Sequence, residues 1–493
     1  MSEARPPLQQ VVVAGGGQVG ILTAIAVRRA LPGCKVIVLG LPADPAAFAD
    51  FAATALPFTN KLHDRLGIGE AEIVARAGGS HRLVTRYFGW GEAGQQEVMH
   101  YGAAIDPALK TGFARDWGGG GQHNLTGGRA AGSVSEVLAD SGRFCVPPDD
   151  VDSPLIELDY CLRWNPAAYR SLLVAVAQKL GIAHFQASSL MVKPDGVGGI
   201  AALVIDGQPP LEADLYIDCS GPQAGLLAAL PGHRATSWEK ALPVRQLLVA
   251  KPGQPMLALE DRISLLPEGW LTEFAGRDGL QVSLGFAEGV SQQAALAALG
   301  LEPLAQLPVD PGRADATWLG NVIAIGDAAA RFEPLGFLNL DLAHRQIALL
   351  VEMLPGQTIE PLERKEFNRR VDLMLDRVRD TLAAHYATQR AQEIFGAVET
   401  QPQVEFALDQ FQRRGRIAFW EEAPFLSQEL MALLSAIGFE EGITPQSRAT
   451  DQSKIHAARQ MFEAQARAAL EFAPPYAEWM GGVLQQASPA NPG

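Results

Sequence analysis

Residues 10–40 read QVVVAGGGQVGILTAIAVRRALPGCKVIVLG, and they decide the fold. A β-branched run over residues 11–13 leads directly into Gly15-x-Gly17-x-x-Gly20, then into a helical pattern and a second apolar run. Strand, tight turn, helix and strand in this order are the context in which GxGxxG binds a dinucleotide. We expect Gly15 to make the turn, Gly17 to admit a pyrophosphate, and Gly20 to let the helix pack on the strand. The helix N-terminus then offers N–H groups and the positive end of its dipole.

One part of the dinucleotide pattern is missing at the end of the second strand. An acidic residue normally lies about 20 residues after the glycines and holds the ribose hydroxyls. Here that place is Gly40, and the nearest acid is Asp44, beyond Pro42. The sequence therefore predicts the nucleotide-binding fold and leaves the ribose without its usual partner.

Composition and charge exclude several classes of protein. The chain has 493 residues, 47% of them hydrophobic and 19% charged, which is enough for a large core. Its net charge of −15 argues against nucleic acid and anionic membranes as partners. No run of about 20 apolar residues predicts a membrane span. The 4 cysteines lie far apart without a CxxC, which predicts a reduced, cytoplasmic protein with no metal site.

Two later stretches complete the pattern of the first. Residues 211–221 read LEADLYIDCSG, a strand that runs into a loop of small residues. Residues 320–345 read GNVIAIGDAAARFEPLGFLNLDLAHR, in which a buried strand delivers Gly326-Asp327 and an Ala-rich helix start. The three stretches together predict one nucleotide-binding sheet assembled from separated parts of the chain.

The segments GGGQVG, DLYIDCSG and IAIGDAAARFEPL resemble the flavin-dependent tryptophan halogenases, whose matching segments occur in this order. Further on, Arg379-Asp380-x-x-x-x-His385-Tyr386 resembles the RDF-x-x-x-HY helix of that family. The resemblance extends over roughly residues 10–445, which is nearly the whole chain.

The resemblance implies a cofactor, its electron source and its contacts. In the family, FAD reduced by a separate reductase reacts with dioxygen, a bound halide is oxidised, and a lysine amine presents the halogen to an aromatic carbon. The loop after the last strand is expected to run past the flavin ring, with Gly336 and Phe337 beside it. The resemblance assigns FAD contacts to Gly15, Gly17, Gly20, Gly326, Asp327, Pro334 and Leu335.

The position of the halogenating lysine is changed. When HRLVTRYFGW is aligned without gaps it falls on Arg82, and no lysine occurs between Lys61 and Lys110. A guanidinium stays protonated at neutral pH and has no free amine lone pair. Arg82 and its neighbour Arg86 could instead place an anion or a substrate carboxylate, or form structural ion pairs.

Three further features of the family are changed as well. The WxWxIP motif corresponds to GWLTEFA at residues 269–275, which keeps only Trp270. The glutamate and small hydroxyl residues that follow Glu-Pro-Leu are replaced by GFL at residues 336–338. The GEAT-like loop is replaced by AATA at residues 52–55. Four changes together predict a chemistry other than halogenation.

Three histidines and a tryptophan lie in segments expected to border the substrate: His81, His100, His123 and Trp117. A lone histidine is more often a hydrogen-bonded structural residue than a catalyst. We single out His81 because it adjoins Arg82. Trp117 lies in a Gly-rich insertion that could line or cover a pocket.

The expected architecture is an α/β, Rossmann-like FAD-binding fold of the flavoprotein hydroxylase type, with an interleaved β-rich substrate layer and a helical C-terminal region. The predicted boundaries are 8–90, 156–235 and 316–354 for the three FAD-binding parts, 91–155 for a substrate-side insertion, 236–315 for the β-rich layer and 355–493 for the helical region.

These patterns predict an FAD-dependent oxidoreductase, a monooxygenase or oxidase that uses reduced FAD and dioxygen on an aromatic or indole-like substrate, free or tethered. Its candidate catalytic residues are Arg82, Gly336 and Phe337. Two alternatives stay open: a genuine halogenase with a displaced catalytic residue, and a catalytically inactive flavin-binding or scaffold protein. A separate flavin reductase is the expected electron source, because no second GxGxxG is present for a nicotinamide. A homodimer is left open.

Overall fold

The computed structural model describes residues 5–91, 96–102, 132–148, 153–205, 207–418, 420–443 and 452–487. The Gly-rich insertion with Trp117 and His123 lies outside these ranges. Within them, no helix is long and apolar enough to cross a membrane. No group of three or more His, Cys, Asp or Glu in the same residues could hold a metal ion.

The described strands are, in chain order, β1 (Gln10–Ala14), β2 (Lys35–Gly40), β3 (Ser80–Arg82), β4 (Val84–Phe88), β5 (Gln96–His100), β6 (Cys161–Arg163), β7 (Ala183–Gln186), β8 (Met191–Pro194), β9 (Ile200–Val204), β10 (Leu215–Asp218), β11 (Ala235–Ser237), β12 (Gln246–Ala250), β13 (Glu260–Leu266), β14 (Gly269–Phe274), β15 (Gln281–Phe286), β16 (Pro303–Pro308), β17 (Gly312–Ala314), β18 (Trp318–Leu319), β19 (Val322–Ala324) and β20 (Ala330–Arg331).

The described α-helices are α1 (Gln18–Ala30), α2 (Phe48–Phe51), α3 (Phe58–Arg65), α4 (Glu70–Arg76), α5 (Val134–Asp140), α6 (Pro166–Lys179), α7 (Gln292–Leu299), α8 (Leu338–Glu352), α9 (Pro361–Tyr386), α10 (Gln389–Phe395), α11 (Pro402–Arg414), α12 (Ser427–Ala436), α13 (Gln452–Phe472) and α14 (Tyr476–Ala487). Short 3-10 helices span Gly326–Ala328 and Leu335–Phe337.

The first sheet has the strand order β18-β19-β10-β1-β2-β7. All neighbours are parallel except the edge pair β18 and β19. Val11 of β1 pairs with Leu215 of β10 on one side and with Val36 of β2 on the other. Tyr216 of β10 pairs in turn with Val322 of β19, so three separated stretches of the chain lie side by side. β1 is buried on both faces, as its unbroken β-branched run requires in a parallel sheet. The structure confirms the predicted Rossmann-like α/β fold.

Helix α1 begins directly after the glycine turn and packs against α6 and α8. Its apolar residues are buried from Val19 to Val27, and it ends at Ala30, just before the predicted Leu31-Pro32 boundary. Proline cannot continue a helix, because it lacks the N–H and clashes with the preceding turn. The helix is therefore fixed with its N-terminus at the carboxyl end of β1.

The second sheet has the strand order β16-β12-β15-β14-β13-β4-β5 and corresponds to the expected β-rich layer. It also takes in β4 and β5 from earlier in the chain, with β4 parallel to β13. Trp270 of β14 is fully buried, and a Cβ at Gly285 of the neighbouring strand would lie 2.1 Å from its ring. Glycine at that position makes room for the tryptophan that remains from the WxWxIP motif.

The helical C-terminal region predicted from the sequence is present from Pro361 onward. Helix α9 packs on α8, and the last described helix, α14, packs on α4. Tyr476 and Trp479 of α14 contact the ring of His81 at centroid distances of 5.8 and 5.2 Å. The C-terminal helices thereby cover the outer side of the segment that carries Arg82.

Candidate functional site

Two glycines of the GxGxxG turn lie where no side chain fits. Gly15 has a φ of +128°, and a Cβ there would lie 2.0 Å from the carbonyl oxygen of Cys219. A Cβ at Gly20 would lie 2.1 Å from the carbonyl oxygen of Gly15. The turn therefore brings the ends of β1 and β10 and the start of α1 into direct backbone contact, as a dinucleotide fold requires.

The third glycine of the turn faces a carboxylate that sequence reasoning missed. A Cβ at Gly17 would lie 2.0 Å from Oδ2 of Asp50, a residue of α2. Oδ1 of Asp50 accepts a hydrogen bond from the backbone N–H of Val19 at 3.0 Å. Burial raises the pKa of Asp50 to about 6. This carboxylate occupies the place expected for a pyrophosphate at the N-terminus of α1.

Gly326 and Asp327, predicted to contact FAD, lie next to the glycine turn. Gly326 has a φ of +66° and donates its N–H to Oε1 of Gln346 at 2.8 Å. Oδ2 of Asp327 accepts the N–H of Ala49 in α2 at 2.9 Å. Burial and the neighbouring charge of Asp50 raise the pKa of Asp327 well above its usual range. Both residues therefore lie beside the start of α1, with α2 against them.

A glutamine amide lies where the side chain of the missing strand-end acid would be. Gly40 pairs in register with Gln186 at the end of β7. A Cβ at Gly40 would lie 2.6 Å from Oε1 and 2.7 Å from Nε2 of Gln186, so this amide fills the space of the absent side chain. Nε2 of His184 lies 3.2 Å from the amide nitrogen, and Arg170 donates to the carbonyl oxygen of Gly16. Hydrogen-bonding groups are thus present where a ribose would lie.

A cleft of about 300 Å³ opens between α2, the loop after Glu333 and the second sheet. Its walls are mostly apolar and include Phe48, Thr54, Val249, Phe274, Pro334 and Phe337. Leu335, also predicted to contact FAD, is fully buried behind the loop. A flat, apolar ring system can be held in such a cleft.

The loop turns beside this cleft through two left-handed residues. Gly336 has a φ of 72° and Phe337 a φ of 66°, immediately before α8 begins at Leu338. A left-handed conformation is rare for a bulky residue and marks a local strain that the surrounding structure must hold. The ring of Phe337 packs on Phe274 at a centroid distance of 4.7 Å.

Arg82 lies immediately behind Phe337 and is fully buried. Its guanidinium carbon lies 3.7 Å from the centroid of the Phe337 ring. Nη1 lies 3.2 Å from Oδ2 of Asp261, and Nη2 donates to the carbonyl oxygen of Ala55 at 3.2 Å. These contacts agree with the interpretation of Arg82 as a residue in a structural ion pair. The Phe337 ring and the Arg82 guanidinium together fill the space between the cleft and the interior.

Three residues that remain from the family's motifs form one hydrogen-bonded chain. Nε1 of Trp270 donates to Oη of Tyr386 at 3.0 Å, and Oη of Tyr386 donates to Oε1 of Glu333 at 2.6 Å. Burial raises the pKa of Glu333 to about 7. These two hydrogen bonds connect β14 and α9 to the loop beside the cleft.

The other polar candidates have structural partners. His81 contacts Oε1 of Glu70 at 2.8 Å and Oη of Tyr476 at 3.0 Å. Arg86 forms ion pairs with Glu260 and Asp140. His100 is buried at the end of β5. None of these three side chains lines the cleft within the described residues.

Residues 10–452 match the tryptophan halogenase family. The chain belongs to this family. It is 25% identical over 424 residues to tryptophan 7-halogenase KtzQ of Kutzneria sp. (strain 744), a match that covers 77% of this chain and 76% of that one. Tryptophan 7-halogenase RebH of Lentzea aerocolonigenes is 23% identical over 414 residues, with 77% and 76% covered.

Solved structures of flavin-dependent halogenases share the fold of this chain. The flavin-dependent halogenase BrvH from Brevundimonas sp. BAL3 matches with a TM-score of 0.83 at 22% identity, over 97% of this chain and 99% of that one. Xcc4156, a flavin-dependent halogenase from Xanthomonas campestris, matches with a TM-score of 0.84 at 20% identity, over 97% and 98%. The predicted family is confirmed, and with it FAD as the cofactor.

Tryptophan halogenases use FAD, and the residues present are suited to most parts of this cofactor. The glycine turn leaves bare backbone for the pyrophosphate, Gln186 can meet the ribose, and the apolar cleft suits the flavin ring. Among the described residues, Asp50 does not fit the pyrophosphate, because its carboxylate lies against the backbone of Gly17 and accepts the N–H of Val19. The individual FAD contacts assigned from the sequence stay predictions.

Proposed function

We propose that this member of the tryptophan halogenase family is an FAD-dependent oxidoreductase that does not halogenate. It acts on an aromatic or indole-like substrate either as a monooxygenase, with reduced FAD and dioxygen, or as an oxidase, in which oxidised FAD would take two electrons from the substrate and pass them to dioxygen. One observation carries the proposal: Arg82, at the position of the halogenating lysine, is fully buried under Phe337 and paired with Asp261.

The chemistry of Arg82 supports the proposal first. A lysine can carry a halogen because its amine has a lone pair when neutral, whereas a guanidinium at neutral pH has none. The contact with Asp261 further favours the charged form, since an opposite charge within hydrogen-bonding distance stabilises it. Arg82 can therefore orient groups or balance charge, but it cannot pass a halogen to a carbon atom.

Packing around Arg82 supports the proposal next. The ring of Phe337 lies in contact with both the guanidinium and Phe274, so the space behind the cleft is filled. Among the described residues, Phe337 lies between the cleft and Arg82. The substrate has to come to the cleft itself.

The mouth of the cleft is suited to that arrangement. Phe51 and Leu304 line it and are 51% and 62% exposed. Large apolar side chains exposed at the rim of a concave apolar site favour an aromatic ligand. An aromatic substrate could therefore enter beside the flavin ring, with a larger carrier remaining outside.

The other two candidates each have one observation in their favour. The halogenase reading is favoured by relatives that are named tryptophan halogenases, such as KtzQ. The reading as an inactive flavin-binding or scaffold protein is favoured by Asp50, which lies where the pyrophosphate would bind.

A single experiment separates the three functions. The protein is mixed anaerobically with FAD reduced by a separate flavin reductase, and oxygenated buffer with an indole substrate is added, with and without chloride or bromide. We expect halide-independent flavin reoxidation that is faster than for free reduced FAD, together with an oxygenated or dehydrogenated product by mass spectrometry. A halide-dependent mass gain would establish a halogenase instead. Reoxidation at the rate of free FAD and no product would establish the inactive protein.

A further inference from the structure

Asp50 takes up both the space and a hydrogen-bond donor that a phosphate needs at the start of α1. A Cβ at Gly17 would lie between 2.0 and 2.3 Å from three atoms of its carboxylate, so the carboxylate rests on bare backbone. The N–H of Val19, in the first turn of the helix, points at Oδ1. The bare backbone that admits a pyrophosphate in dinucleotide folds admits Asp50 here.

The charges around Asp50 oppose a second anion at the same place. Asp327 faces it from the loop after β19, and Asp44, from the segment before α2, in turn faces Asp327. Arg170 of α6 is the nearby cation, and it already donates to the carbonyl oxygen of Gly16. A pyrophosphate diester would bring two more negative charges into partly buried surroundings, where like charges repel strongly.

Helix α2 makes few hydrogen bonds to the nucleotide side, and its Phe48 and Ala49 are buried. Besides Asp50, its contacts to the nucleotide side are the N–H of Ala49 on Asp327 and the amide of Gln18 on two carbonyl oxygens. The helix is 4 residues long, and its last residue, Phe51, is half exposed. Moving it would break these hydrogen bonds and expose Phe48 and Ala49, but α2 takes part in no strand pair.

We propose that Asp50 is an internal competitor for the cofactor's pyrophosphate. Helix α2 keeps the nucleotide site closed, and FAD binds when α2 withdraws the carboxylate from Gly17 and Val19. The inference rests on the use of FAD in the proposed function. In the absence of nucleotide, the carboxylate satisfies a backbone N–H that the start of a helix leaves without a partner. The same contact lowers the affinity for FAD.

The test uses ADP-ribose, which carries the pyrophosphate diester without a flavin ring. Its affinity is measured by calorimetry at pH 7.5 for the full-length chain and for Asp50→Asn, Asp50→Ala and Asp64→Asn. Asp64 is an exposed acid of α3 and serves as the matched control. We expect both Asp50 variants to bind at least tenfold more tightly than the unchanged chain and the control. Equal or weaker affinity, or no binding by any of the four proteins at millimolar ligand, would overturn the proposal.

Hydrogen exchange gives a second readout that depends on neither flavin nor product. In Asp50→Ala without ligand, the amides of the first turn of α1 should exchange faster than in the unchanged chain, and ADP-ribose should protect them again. Equal exchange in both proteins would overturn the competitor. The reaction of reduced FAD with dioxygen is measured separately, so tighter ADP-ribose binding without that reaction supports the competitor and overturns only the proposed function.

Discussion

Arg82, which the sequence predicts at the position of the halogenating lysine, has the contacts of a structural residue. It shares the carboxylate of Asp261 with Arg163, whose Nη1 lies 2.7 Å from Oδ1. The Nε atoms of both arginines are buried without a hydrogen-bond partner in the described part of the chain. Two cations for one carboxylate leave a net positive charge behind Phe337, which the stacked aromatic ring partly offsets.

Arg82→Lys should destabilise the protein and should not create a halogenase. A lysine cannot reach both Asp261 and the carbonyl oxygen of Ala55 as the planar guanidinium does. We expect the free energy of unfolding in urea to fall by about 1–3 kcal/mol, the cost of a buried polar group left unpaired. Arg86→Lys, at ion pairs nearer the surface, is the control and should cost less. Halide incorporation by Arg82→Lys would contradict the idea that Phe337 blocks the route.

Gln186→Ala should weaken nucleotide binding, because the amide occupies the place of the missing ribose partner. We expect the affinity for ADP-ribose to fall by about three- to tenfold, the loss of one or two hydrogen bonds. Gly40→Asp added to Gln186→Ala should recover it, because the space for a side chain is then free. Gln178→Ala, at an exposed glutamine of α6, is the control. No recovery in the double variant would show that Gln186 does not replace the acid.

At the scale of elements, the chain of Trp270, Tyr386 and Glu333 joins pieces that are distant in sequence. It links β14, the C-terminal end of α9 and the loop that continues into Gly336 and Phe337. The other carboxylate oxygen of Glu333, Oε2, has no hydrogen-bond partner among the described residues. These hydrogen bonds hold the loop against the cleft.

Tyr386→Phe should lower stability more than its small change in volume suggests. The substitution leaves a buried carboxyl and a buried indole N–H without partners, at about 1–3 kcal/mol each. We expect a loss of about 2–4 kcal/mol in urea unfolding. Tyr216→Phe is the control, because its hydroxyl donates mainly to one backbone oxygen, that of Leu211 at 3.1 Å. Equal losses in the two variants would contradict a special role for the chain.

Glu333 should also make stability depend on pH. Burial raises its pKa from 4.5 to about 7, so the folded protein keeps a proton that the unfolded chain releases. Stability should therefore decrease as the pH rises from 4.5 to 7, and this contribution should level off above 7. Glu333→Gln should flatten part of that slope in urea unfolding across this range, while Glu429, Asp50 and Asp327, whose pKa values burial also raises, keep their own contributions. An unchanged slope in Glu333→Gln would show that its proton is not held.

At the scale of the whole molecule, the two sheets divide the work of holding one cofactor. The first sheet presents the glycine turn and Gln186, and the second forms most of the wall of the cleft through Val249 and Phe274. The nucleotide and the ring should therefore be separable in binding experiments.

Val249→Asp should weaken FAD at least tenfold and leave ADP-ribose within about twofold, because a charge in the apolar wall disfavours only the ring. Calorimetry with both ligands measures the two effects. Gln306→Asp, exposed on the adjacent strand, is the control and should change neither affinity. Parallel losses for both ligands would show that the cleft does not hold the ring.

The sequence predicted the first sheet because its signals are local: glycine spacing, β-branched runs and the strand before Gly326-Asp327. The changed lysine position at Arg82 stays a prediction. The sequence could not predict Asp50, whose contact with Val19 spans 31 residues and depends on where a 4-residue helix lies. It also could not predict the contact of Gln186 with Gly40, which depends on the register of β2 with β7. Nor could it predict the stack of Phe337 on Arg82, which depends on the turn before α8.

The order of strands in the first sheet sets when this protein can acquire its cofactor. β1 is flanked by β2, which follows within a few dozen residues, and by β10, which ends at Asp218, while β19 ends only at Ala324. Pairings between such distant parts of a chain form slowly. On the ribosome, the glycine turn emerges long before Asp327 and the cleft loop exist. We therefore expect that FAD can be captured only after about two thirds of the polypeptide has been synthesised.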